Sequence, residues 1–220
     1  MGAVYAESND AYHRKASTST WADARGTAIS TSDFTSSSGT LSSIATWNIY
    51  SGGRGSNTYY CARSFFEFDL SSYSGTATDV EFKLYCDNIG TNATNESTLY
   101  LVNSTALAGS TADFGNVFTM GTTLGTFFGS GEISTTASYH TIALNSDGLT
   151  ATNSAIGSGN LTIGIMGYYD YNVSTPSLGG NQAKLWARYQ NYTGTSYDPY
   201  INITYEPTTT SNAIFFGTNF

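Results

Sequence analysis

The chain has 220 residues, a net charge of −8 and a sequence pI near 4.4. The acidic balance argues against a nucleic-acid partner, which requires clustered Lys and Arg. No apolar run approaches the ~18 residues that a membrane-spanning helix requires, so we expect no membrane insertion. Charged residues are 11% of the chain and aromatic residues 15%, which predicts a folded protein with a surface rich in Ser, Thr, Asn and Gly.

The first fifteen residues, MGAVYAESNDAYHRK, lack the basic segment and the following apolar segment of a secretory signal peptide. We therefore expect no such peptide. The protein would stay where it is made, or leave by another route such as cell lysis.

Apolar and polar residues alternate in short segments that are bounded by Gly, Asn, Asp or Pro, which is the pattern of half-buried antiparallel strands. In chain order these segments are 10–17, 45–51, 62–70, 80–87, 97–103, 139–145, 160–169, 183–190 and 200–206. We predict an all-β fold, an antiparallel two-sheet β-sandwich or jelly roll of roughly eight to ten strands. Residues 1–206 would form a single domain, and residues 207–220 a C-terminal arm or tail.

The segment 62–70 shows which side chains would face the core. Phe66, Phe68 and Leu70 share one face. Arg63, Phe65, Glu67 and Asp69 share the other. The preceding letters NTYYCAR resemble the end of an antibody variable domain, but such a domain needs a Cys about 70 residues earlier. No Cys precedes Cys61, so we attribute the likeness to β-patterning.

Cys61 and Cys86 are the two cysteines of the chain. Cys61 falls on the Arg63 face of its segment, whereas Cys86 falls on the apolar face of 80–87. Side chains that point to opposite faces do not meet the geometry of a disulfide without a bulge. We expect two free thiols, with a Cys61–Cys86 bridge as the alternative.

Arg63, Glu67 and Asp69 are the candidate charged network. An ion pair between Arg63 and one of the two carboxylates, in a partly buried network, is the favoured interpretation. The alternative is a pair of catalytic carboxylates in a hydrolase on a jelly-roll scaffold.

No metal or cofactor is expected. Asn145 with Asp147, and Asp87 with Asn88, offer oxygen atoms for calcium, but ordinary turns have the same composition. Of the two histidines, His13 and His140, neither has the spacing of a metal site, and we expect His140 at the surface.

Aromatic side chains supply the candidate contact residues. Exposed tyrosines beside Asn and Asp suit a sugar-binding face, and equally a protein interface. The alternative is that half of each set faces the core, as strand alternation demands. The candidate glycan or protein contacts are Tyr168, Tyr169, Tyr171, Trp186 and Tyr192. A candidate docking arm at the C-terminus contains Ile214, Phe215, Phe216 and Phe220. The arm would insert into a neighbouring subunit, or else fold back onto its own sandwich.

Several segments resemble DNRLRE-like β-sandwich domains of the kind seen in marine phage and metagenomic proteins. RSFFEFDLSSYSGTATDVEFKLYC (63–86) resembles a strand, turn and strand of that family. YHTIALNSDGLTATNSAIGSGNLTIGI (139–165) resembles its later strands, and YDPYINITYE (197–206) its closing strand. YHRKASTSTWADARGTA (12–28) is similar to a Trp-x-x-Ala-x-x-Gly segment of the marine subset.

The resemblance implies a non-enzymatic structural protein of a phage virion, namely a capsid decoration protein on the particle surface. The alternative is a carbohydrate-binding or adhesion module of a tail fibre or cell surface. The implied partners are the major capsid protein or another virion protein, further copies of the chain (a trimer among the options) and host-surface glycans. Head or tail location and the attaching terminus stay open at this point.

Overall fold

The computed structural model describes residues 2–7, 11–17, 20–26, 34–37, 47–53, 56–86, 98–104, 113–116, 122–127, 138–176 and 197–206. The strands in these ranges are β1 (Gly2–Tyr5), β2 (Ala11–Ser17), β3 (Phe34–Ser37), β4 (Trp47–Gly53), β5 (Ser56–Asp69), β6 (Ala77–Cys86), β7 (Leu99–Asn103), β8 (Thr123–Phe127), β9 (Ser138–Ala143), β10 (Asn160–Gly167) and β11 (Tyr200–Tyr205). The helices are α1 (Trp21–Ala24), α2 (Asp113–Asn116), α3 (Ser146–Ala155) and α4 (Tyr168–Tyr171).

The strands form two antiparallel sheets. The four-stranded sheet has the order β1-β11-β6-β9. The seven-stranded sheet has the order β3-β2-β5-β10-β7-β8, and β4 also pairs with β5. This confirms the predicted all-β two-sheet sandwich. The described residues contain eleven strands rather than eight to ten, because β1, β3 and β8 lacked a clear alternating pattern; the predicted strand 183–190 lies outside the described residues.

The core lies between the two sheets. Phe66 and Phe68 of β5 meet Phe82 of β6, with ring centroids 5.4 and 5.9 Å apart. All three side chains are fully buried. The alternation read from 62–70 and 80–87 therefore placed the core faces of these two strands correctly, because successive side chains of a strand point to opposite faces.

Strand β5 is buried on both faces, since residues 61–68 are all buried. Its second face, which carries Arg63 and Phe65, is the outer face of the seven-stranded sheet. Three short helices cover it: α1 and α4 pack against this sheet, and Phe114 of α2 lies against Arg63. The predicted pattern of a polar outer face fails here because the covering helices remove that face from water.

Strands β4 and β10 share one edge of β5, and β2 lies on the other edge. β2 pairs with residues 59–65 of β5, β4 with 56–62, and β10 with 64–69. Since β2 and β4 both pair with residues 59–62, they lie on opposite edges of β5, and β10 follows β4 along the second edge. At this junction β10 ends at Gly167 and the chain turns into α4. Arg63 lies at the same level of β5.

Helix α3 occupies a segment that the sequence analysis interpreted as a turn. The side chain of Asn145 accepts hydrogen bonds from the backbone N–H groups of Asp147 and Gly148, which is the geometry of an N-cap. The Asn-Ser-Asp-Gly run is therefore a helix start, and the amide oxygen of Asn145 caps the helix. None of the helices in the described ranges has both the length and the apolar character needed to cross a bilayer.

Candidate functional site

A buried ion pair joins β5 to α4. The Nε of Arg63 donates to Oδ2 of Asp170 over 2.7 Å, and its Nη2 donates to Oδ1 over 2.8 Å. Both side chains are fully buried. Burial by itself lowers the pKa of Arg63, but the contributions of Asp170 and Cys61 together exceed it, so the net effect is a raised pKa. This two-point geometry is the strong form of an Arg–carboxylate contact.

The remaining donors of Arg63 bind backbone carbonyls of the covering helices. Its Nη1 donates to the carbonyl of Phe114 over 2.5 Å, and its Nη2 to the carbonyl of Arg25 over 2.8 Å. Arg25 in turn donates from Nη2 to the backbone oxygen of Asp170, and its Nε lies 3.3 Å from Oδ1 of that residue. One guanidinium thus connects α2, α4 and the end of α1 to the sheet, which is a structural role.

Cys61 and His13 lie in the same buried layer. Burial raises the pKa of the Cys61 thiol well above its usual value, and the nearby Asp170 adds to the effect. Cys61 is a free thiol, so it forms no bridge to Cys86. His13 is paired with Arg63 in the β2–β5 register, and its ring meets Phe65 edge-on at 5.7 Å. Burial lowers the pKa of His13 to about 4, although Asp113 opposes the shift.

The predicted partner of Arg63 is wrong. A strand advances about 3.3 Å per residue, so Glu67 is about 13 Å and Asp69 about 20 Å along β5 from Arg63. Glu67 is 2% exposed and accepts a hydrogen bond from the hydroxyl of Thr162. Asp69 accepts from the backbone N–H of Ser71, and hydrogen bonds from the side chain and the backbone of Ser71 lower its pKa. Each carboxylate therefore has a local structural partner.

The first group of predicted contact residues lies on α4. Tyr169 is only 8% exposed and packs in the buried layer with Trp21 and Cys61. Tyr171 is half-buried and stacks on Tyr100, with ring centroids 4.0 Å apart and planes 13° apart. Tyr168 is also half-buried. Tyr168–Tyr171 form a helical turn rather than the predicted strand end, and Tyr169 faces the buried layer, as the alternative interpretation of this segment has it.

Other predicted residues lie outside the described ranges. These are Trp186, Tyr192, Ile214, Phe215, Phe216 and Phe220, together with Asp87 and Asn88. His140, which was expected at the surface, is half-buried in β9, and burial lowers its pKa. Across the described ranges, no three His, Cys, Asp or Glu side chains lie together as metal ligands would.

The outer face of the four-stranded sheet carries a feature that the sequence analysis missed. Five tyrosine rings follow one another across it, and we call them the tyrosine row: Tyr5, Tyr200, Tyr139, Tyr85 and Tyr197. Successive ring centroids are 5.5, 5.5, 5.4 and 4.4 Å apart. The ring planes are inclined by 41° to 76°. The row is therefore a continuous aromatic surface without a flat platform.

The two ends of the tyrosine row are the most accessible parts. Tyr5 is 56% and Tyr197 38% exposed. In the middle, Tyr139 donates its hydroxyl to the backbone oxygen of Asp198 over 3.0 Å. Burial raises the pKa of Tyr139 to about 12, with Tyr200 and Asp198 adding to the shift. This hydrogen bond fixes the middle of the row, whereas its two ends stay accessible.

One sequence signal pointed to part of the row. Tyr85 falls on the polar face of the predicted strand 80–87, where a large aromatic side chain is unusual. The register then brings Tyr5 opposite Tyr200, and Tyr85 opposite Tyr139. That register is a property of the folded sheet.

Neither a protein-family model nor a curated protein matches the chain. The likeness to DNRLRE-like domains therefore stays a prediction that depends on the quoted segments alone.

Proposed function

We propose that the chain is a non-enzymatic structural protein of a phage virion, a capsid decoration protein on the particle surface. We further propose that the tyrosine row is its contact surface with another virion protein or with further copies of the chain. The row is the observation that carries this proposal. Tyrosine is enriched at protein interfaces because it contributes a large apolar area and a hydroxyl with little loss of conformational freedom.

The positions of the charged groups support a structural role. Arg63 and Asp170 are fully buried and bind each other, and Glu67 is buried against Thr162. A general acid or nucleophile must reach its substrate. Arg63 and Asp170 instead hold the covering helices on the sheet, as expected of a rigid body that is displayed on a particle.

The inclination of the rings favours a protein partner for the row. A sugar ring stacks on an exposed aromatic face, whereas neighbouring rings inclined by up to 76° present edges as well as faces. A protein side chain fits between such rings. The accessible ends, Tyr5 and Tyr197, would make the first contacts.

The test uses particles released by cells that carry the gene. Particles purified on a density gradient should contain the chain, detected by mass spectrometry and immunogold labelling. Particles from a deletion strain should take up recombinant protein. The double variant Tyr5→Ser with Tyr197→Ser should bind at least about tenfold more weakly, because truncation of interface tyrosines commonly costs a factor of this size.

The matched control is Val173→Ser, which changes an apolar side chain that is 68% exposed and lies outside the row. It should bind like the unaltered protein. Absence of the chain from purified particles contradicts the decoration proposal. Its presence together with unchanged binding of the double variant contradicts only the assignment of the row.

Carbohydrate binding is the second candidate function, as in an adhesion module of a tail fibre or cell surface. The observation that favours it is a groove beside α3 whose lining is rich in hydroxyl and amide groups. Glycan arrays separate the two candidates, because a decoration role alone requires no glycan.

A further inference from the structure

A groove of about 470 Å³ runs along α3, between this helix and residues at the ends of β7, β8 and β10. Its size lies within the roughly 300–1,000 Å³ of small-molecule sites. The polar side chains that matter for its chemistry belong to Ser104, Asp147, Thr150, Ser154, Ser158 and Asn160. The decoration role proposed above does not involve this groove.

Three hydroxyl groups form a row along one wall. Thr150 and Ser154 are four residues apart in α3, a step of about 6 Å along the helix, and Ser158 follows in the turn after the helix end. Each hydroxyl donates to the carbonyl four residues earlier, over 2.9, 2.9 and 2.6 Å. Because their protons are used within the chain, these oxygens offer acceptor lone pairs to a ligand. The wall therefore suits a ligand that donates several hydrogen bonds.

Ser104 supplies an independent observation. It is 7% exposed, its backbone N–H donates to the carbonyl of Thr162, and it is one of the residues that line the groove. Its Oγ is buried and has no hydrogen-bond partner among the described residues. Buried hydroxyl groups normally have a partner, since leaving one unsatisfied is destabilising. A ligand hydroxyl in the groove would provide that partner.

The charges of the lining narrow the ligand class. Asp147 is the only charged side chain among the described residues of the lining, which include no Lys, Arg or His. Phosphate and carboxylate ligands would find no positive partner among these residues and would meet this carboxylate. A single exposed carboxylate attracts a cation only weakly.

We propose that this groove binds a short neutral saccharide of one or two pyranose rings. Sugar hydroxyls would donate to the oxygens of Thr150, Ser154 and Ser158, and one hydroxyl would bind Oγ of Ser104. The inference deepens the carbohydrate-binding candidate and rests on it. It is separate from the decoration role.

The probes are methyl pyranosides of glucose, galactose and mannose, with maltose and cellobiose, titrated into the ¹⁵N-labelled full chain and followed by NMR. At least one probe should cause saturable shifts of the amide signals of Ser104 and Asn160 at millimolar concentration. Glucose 6-phosphate should cause none. Ser104→Ala should weaken binding by about tenfold, the size expected for one lost hydrogen bond.

Ser154→Trp fills the groove and should abolish the shifts. The matched control Ser71→Trp places the same bulk on an exposed turn outside the groove and should leave binding intact. Thermal unfolding verifies that each variant is folded. If Ser154→Trp does not fold, the weakened binding of Ser104→Ala tests the proposal. The proposal is overturned if Ser154→Trp still binds a probe, or if none of the probes shifts any amide signal.

Shifts that map to the tyrosine row would contradict the groove as the binding site, whereas carbohydrate binding itself would be supported. If neither the glycan arrays nor the titrations show binding, both carbohydrate binding and the groove as its site are excluded. The decoration role is measured on particles, so neither result affects it.

Discussion

Arg63 and Asp170 are 107 residues apart in the chain, and they form a two-point ion pair in which both side chains have no exposed surface. The pair lies where β5 exchanges its neighbour β10 for β4 and where β10 turns into α4. Three covering helices depend on it through the carbonyls of Phe114 and Arg25 and through Asp170 itself. The stability of the outer layer is therefore concentrated at one guanidinium.

Replacing Asp170 with Asn should lower the free energy of unfolding by about 3–5 kcal/mol, because Arg63 would keep a buried charge without its counter-ion. Urea unfolding measures the change. The control is Glu81→Gln, which removes the ion pair between Glu81 and Lys83 at the surface. This change should cost about 0–1 kcal/mol. Equal losses in the two variants would contradict the structural role of the buried pair.

Gly148 should not tolerate a side chain. A Cβ at this position would lie 2.6 Å from Cβ of Leu144 and 2.9 Å from the carbonyl oxygen of Leu124. Gly148→Ala should therefore lose about 1–3 kcal/mol through overpacking, despite the better helix propensity of Ala. Gly159→Ala is the matched control, because a Cβ there meets nothing within 4 Å. Thermal unfolding compares the variants, and a stabilised Gly148→Ala protein would contradict the packing of α3.

Cys61 should resist alkylation in the folded protein. The thiolate is the reactive form, and burial raises the pKa of this thiol far above its usual value. We expect iodoacetamide at pH 8 to leave Cys61 unmodified in buffer and to modify it in urea, as measured by peptide mass mapping. Peptide mapping reads Cys86 separately, so Cys86 does not affect the result. Similar rates in buffer and in urea would exclude a buried Cys61.

The protein should lose stability as the pH falls from about 6.5 to about 4. His13 has a pKa near 4 in the folded state, whereas an unfolded His titrates near 6.5. Within this window the unfolded chain binds the proton and the folded chain does not, so unfolding is favoured progressively. Below about pH 4 both states are protonated and the contribution stays constant. The pKa difference of His13 between the two states corresponds to a loss of at most about 3 kcal/mol in the free energy of unfolding.

The measurement is the free energy of unfolding at several pH values for the unaltered protein and for His13→Phe. The variant lacks the titrating group, so its stability should change less between pH 6.5 and pH 4. His140→Gln serves as the comparison for the second histidine, whose pKa burial also lowers. If the free energy of unfolding changes with pH in the same way in the unaltered protein and in His13→Phe, then His13 is not the source of the acid sensitivity.

The strand pattern was predictable because the alternation of side chains is a local property. A period of two residues places Phe66 and Phe68 on one face and Arg63 on the other in any sheet, whatever lies beside it. Helix α3 was missed although its signal is also local: Asn145 followed by Ser-Asp-Gly is compatible with a turn as well as with an N-cap.

The ion pair and the tyrosine row required the folded chain. The sequence pattern offers Arg63 two carboxylates on its own strand, Glu67 and Asp69, but it meets Asp170 because β10 ends beside β5 and α4 folds back over it. Tyr5, Tyr85, Tyr139 and Tyr200 come together through three strand pairings whose register no single segment contains. Periodicity assigns a side chain to a face, whereas its neighbours depend on strand order, register and covering loops, which are set by packing of the whole chain.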